Sequence, residues 1–134
     1  MEVPHDAVVI VADGGKARAF RQTGRGLDVA LEPMGGIEMD THNRHSGVRR
    51  RPDEGGGDAN ELDEDSRAAS VAAWVNAEVT AGRITGLVVI AAPKTLGELR
   101  HNWSSGTQGV IAGEISKDLS NHDLKGITEA LKTA

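Results

Sequence analysis

Cysteine is absent from this 134-residue chain, which excludes disulfide frameworks, thiolate metal sites and a cysteine nucleophile. Aromatic residues are scarce. There is no tyrosine, and Phe20, Trp74 and Trp103 are the whole set, so the core has to be assembled from Val, Ile, Leu and Ala around two tryptophan anchors. No apolar run comes near the roughly 20 residues of a membrane helix. The opening Met-Glu-Val-Pro-His-Asp has neither the basic nor the apolar region of a signal peptide. The expectation is a cytoplasmic protein forming one domain, 1–134, without membrane association. An excess of positive charge is missing too: the net charge is −5, which argues against indiscriminate binding to nucleic acid. That acidity is local, because seven acidic residues and no basic one lie between Asp53 and Asp65, leaving a net +2 on the remainder.

What is present begins with two runs of six apolar residues, Ala7 to Ala12 and Leu87 to Ala92. Neither alternates, the pattern of strands covered on both faces inside a sheet. After the first run Asp13-Gly14-Gly15 supplies a tight turn, and Lys16 to Gln22 returns antiparallel. Leu27, Val29 and Leu31 alternate with Asp28, Ala30 and Glu32 and complete a three-stranded meander. After the second run, Pro93 ends the strand and Leu96, Leu99 and Trp103 recur at helical spacing. Ala68, Val71, Ala72, Val75 and Val79 mark an earlier helix, with Asp63, Glu64 and Asp65 at its positive end and Gly82 as its C-cap. Gly106 to Gly109 reads as a loop and Val110 to Ile115 as an edge strand. Ser120 with Asp123 resembles a capping box ahead of a last helix through Leu124, Ile127 and Leu131.

From Gly35 to Asp65 no periodicity survives, and a loop of that length is expected to be functional or mobile. It divides at Pro52 into a basic part carrying His42, Arg44, His45, Arg49, Arg50 and Arg51 and an acidic part around Gly55-Gly56-Gly57.

These elements define an α/β fold: a single mixed five-stranded sheet with helices on both faces. A right-handed crossover sets the Leu87 strand parallel to and beside the Ala7 strand. The strands starting at Ala7, Leu27, Leu87 and Val110 then all end at one edge, the edge where open α/β sheets bind ligands. Four connections meet there: 13–16, 35–65, 93–95 and 116–118.

This succession is similar to the ribonuclease H-like topology. Val-Ala-Asp-Gly-Gly-Lys-Ala-Arg-Ala-Phe at Val11 to Phe20, Ala-Ala-Pro-Lys-Thr-Leu-Gly-Glu-Leu-Arg at Ala91 to Arg100 and Lys-Asp-Leu-Ser at Lys117 to Ser120 resemble the bacterial host attachment protein family. The three blocks stand in the right order and cover most of the chain outside the loop. That family is named for a role in attaching to host cells and is itself similar to the middle domain of eukaryotic and archaeal peptide-chain release factors. The resemblance implies a link to the ribosome or to peptidyl-tRNA.

Asp13 stands where ribonuclease H-like nucleases carry a first metal-binding carboxylate. Two-metal chemistry needs several carboxylates, and the neighbouring strand ends in Ala91-Ala92-Pro93, so a turn-forming role is the favoured reading. Release factors hydrolyse peptidyl-tRNA with a Gly-Gly-Gln motif on a loop before a long helix. The equivalent loop here offers Gly35-Gly36-Ile37 and Gly55-Gly56-Gly57-Asp58, without the glutamine. His42 and His45 lack a third ligand. Arg49 to Arg51 either clamp a phosphate or pair with the acidic run. Lys94 and Thr95, at a helix N-terminus, form the best-supported anion site, the alternative being that Thr95 only caps the helix. Arg100 and His101 point away from the edge and read as structural or interfacial.

The binding candidates, for an anion or a partner, are therefore Asp13, Arg44, His45, Arg49, Arg50, Arg51, Lys94, Thr95 and Lys117. No catalytic residue, metal or cofactor is assigned. The expected activity is that of a non-enzymatic binding protein engaging the ribosome, an RNA or another protein, with any effect on attachment indirect. The alternative is a hydrolase of peptidyl-tRNA or another ester or phosphodiester, with Asp13 or His45 as base and Lys94 stabilising negative charge.

Overall fold

Val8–Ala12 forms β1, and all five of its residues are buried. The computed structural model describes residues 3–13, 17–25, 28–34, 59–119 and 121–134. The elements that follow β1 are β2 (Ala17–Gln22), β3 (Leu31–Pro33), α1 (Ala59–Thr80), β4 (Leu87–Ala91), α2 (Pro93–Asn102), α3 (Ser105–Val110), β5 (Ile111–Ser116) and α4 (Leu124–Thr133). The sheet is mixed, in the order β3-β2-β1-β4-β5. β1 runs parallel to β4, and β4 parallel to β5. β2 is antiparallel to both β1 and β3. This order is compatible with the ribonuclease H-like succession. β1, β3, β4 and β5 consequently all end at one rim of the sheet, as the two apolar runs require.

The runs do not alternate because side chains on successive residues enter two different cores. Val8, Ile10 and Ala12 of β1 with Leu87, Val89 and Ala91 of β4 pack beneath Ala68, Val71, Ala72 and Val75 of α1, Leu96 and Leu99 of α2, and Trp103. Val9, Val11, Val88 and Ile90 face the other way, against Phe20, Leu31, Ile115 and the α4 residues Ile127 and Leu131. Each fully buried aliphatic side chain contributes about 1.5–3 kcal/mol. Helices thus cover both faces.

Gly82 ends α1 as its sequence position implied. Its φ is 82°, its N–H donates to the Val79 carbonyl at 3.0 Å, and Arg83 N–H donates to the Glu78 carbonyl at 2.9 Å. This is the hydrogen-bond pattern of a Schellman motif. The motif usually adds an apolar contact; here the Arg83 guanidinium grips the Glu78 carboxylate with Nε and Nη2, both at 2.9 Å.

Four sequence expectations need correction. β3 starts at Leu31 rather than Leu27, and Leu27 lies outside the described residues. The cause is Gln22, whose side-chain oxygen accepts the N–H groups of Gly24 and Ala30 and so replaces ladder bonds with a side-chain clasp. α1 begins at Ala59, so 59–65 is helix and not the end of a loop. Acidic residues in its opening turns suit the positive helix end but carry no apolar period. Gly106 to Gly109 lies within α3, and β5 starts at Ile111, not Val110. Ser104 caps α3 by accepting from Thr107 N–H at 3.1 Å, and Thr107 is wholly buried, which overrides the glycine content. Finally, the N-cap of α4 is Asp123, which accepts from Gly126 N–H at 2.9 Å. Ser120 lies outside the described residues. Leu124 at N1 is 39 % exposed, while Ile127 and Leu131 are buried.

One irregularity marks the edge strand. Leu87 pairs with Ile111 but Val88 pairs with Gly113, so Ala112 is an extra residue and β5 is bulged.

Candidate functional site

Ala12, Ala91 and Ser116 stand in register across β1, β4 and β5. The residues that follow each of them therefore leave the sheet side by side. Neighbouring strands lie about 4.8 Å apart, so the backbones of Asp13 and Lys117, two strands apart, are separated by about 10 Å. The α2 start, with Lys94, rises between them from β4. β3 also ends here, at Pro33 and Met34. This rim unites Asp13, Lys94, Thr95 and Lys117 from three separate stretches of sequence. The other candidates, Arg44, His45, Arg49, Arg50 and Arg51, lie outside the described residues.

The first turn of α2 has no side-chain cap. Ala92 holds the N-cap position in extended conformation, with no side-chain cap, and Pro93 follows. Pro93 has no N–H to satisfy and its φ suits a first helical position. No acidic residue occupies the first turn, and Lys94 lies at the positive end of the helix. Thr95 does not cap the helix: Ala92 does, and Thr95 is 8 % exposed, turned inward beside Leu96. Lys94 is exposed and so is Lys117, while Asp13 is half-buried.

Arg18 belongs to the same rim and was not singled out in the sequence. On β2 it alternates with Ala19 and so shares a face with Phe20. Its guanidinium lies 5.7 Å from the centroid of the Phe20 ring. It donates to the carbonyls of His122 at 2.9 Å and Leu119 at 3.4 Å, holding the β5–α4 connection against the sheet. The available signal was the Arg-Ala-Phe alternation, which puts a cation on the apolar side of a strand.

Arg100 resolves as structural. Its Nε donates to Glu114 Oε1 at 3.1 Å and its Nη2 to the same oxygen, joining α2 to β5. That bonding keeps the Arg100 guanidinium more firmly protonated than usual. Among the described residues no group of three or more His, Asp or Glu is placed to hold a metal ion. Nor is any described helix long and apolar enough to cross a membrane.

Residues 6–131 match the family model described as bacterial archaeo-eukaryotic release factor family 12, an interval that takes in every strand and the whole rim. No curated protein matches the chain.

Proposed function

The chain belongs to bacterial archaeo-eukaryotic release factor family 12, and from that premise we propose that it is a non-enzymatic, cytoplasmic binding protein of translation that engages the ribosome through its RNA. The observation that carries this reading is the convergence of β1, β4 and β5 in register, which sets exposed Lys94, in the first turn of a helix without a side-chain cap, beside exposed Lys117. Arg44, His45 and Arg49 to Arg51 belong to the segment that joins β3 to α1, and β3 ends at this same rim. They remain candidates for contact by their charge. Phosphates are the groups such a surface recognises.

Hydrolysis by the release-factor route is disfavoured by composition. The glutamines of the chain are Gln22 and Gln108. Gln22 is fully buried, and Gln108 lies on α3, so the segment between β3 and α1 has no glutamine with which to place a water. An influence on attachment to host cells would act through the synthesis of other proteins.

Co-sedimentation with ribosomes at two salt concentrations tests the proposal. The parent protein should sediment with ribosomes at about 50 mM salt and be released at about 200 mM, as counterion release dictates. The Lys94→Ala/Lys117→Ala and Arg49→Ala/Arg50→Ala/Arg51→Ala variants should each bind at least tenfold more weakly, with a shallower salt slope. A parent protein that fails to sediment at low salt overturns the reading. Turnover of peptidyl-tRNA by the parent overturns its non-enzymatic half.

A further inference from the structure

We draw no further inference here: the strongest candidate, the outer face of α1 where exposed Ala69, Ala73 and Ala77 run beside half-buried Trp74, carries nothing because nothing in the structure shows what covers it.

Discussion

The two rims of the sheet are built differently. At the amino rim, side chains are spent on the protein's own backbone. Gln22, fully buried, donates to the carbonyls of Val3 at 3.2 Å and Asp28 at 3.0 Å and accepts the N–H groups of Gly24 and Ala30. Arg21 donates to the carbonyls of Asp6 and Arg83. Asn76 bonds the Asn102 carbonyl, the Ser104 N–H and the Thr107 hydroxyl. At the carboxyl rim the corresponding position on α2 is an alanine with no cap, and Lys94 and Lys117 stand exposed. Arg18 and Asp123 secure backbone there, each on a neighbouring loop or helix start. This is the rim at which open α/β sheets bind ligands.

That contrast can be broken at its strongest point. Gln22→Leu keeps the volume but strands four backbone groups, and should cost about 3 kcal/mol or more in urea unfolding, with ribosome binding unchanged in the protein that remains folded. A smaller effect is expected from the carboxyl rim, where Asp123→Ala removes a single cap from α4 and should cost about 1 kcal/mol. If the second loss equals the first, the asymmetry between the rims is wrong. The smallest effect sharpens the comparison through pH. The hydrogen bond from Arg83, ahead of its charge, holds the Glu78 carboxyl below its ordinary pKa despite an opposing desolvation. Its contribution is therefore present above the unfolded carboxylate pKa and lost as pH falls through the lowered folded value. Thermal melts from pH 6 downward should show a slight loss in the parent that is missing in Glu78→Gln.

Periodicity made the frame legible. Two apolar runs sufficed to place β1 beside β4, because only strands covered on both faces dispense with alternation, and from their parallel direction the common rim followed. What periodicity could not reach were features decided by single polar side chains. Gln22 shortened β3, Thr107 and Ser104 turned a glycine-rich stretch into α3, and Asp123 took the cap assigned to Ser120. Each is a residue whose hydrogen-bond partner cannot be read from the hydrophobic pattern. The rim candidates divided in the same way. Lys94 and Lys117 could be placed at the rim because they follow strand ends; the burial of Thr95 could not be read because a first-turn threonine looks the same whether it faces in or out. Arg18 was passed over because its partners, the Leu119 and His122 carbonyls, are far away in the sequence.

The bulge at Ala112 has a bearing on how this chain meets others. A flat outermost ribbon with free amides is a template on which a second chain can be laid down. β5 is kinked out of that shape and carries the charged Glu114, while β3, on the opposite flank, has three residues and ends in a proline that has no amide to give. Both lateral borders are thereby poor at recruiting copies of the same molecule.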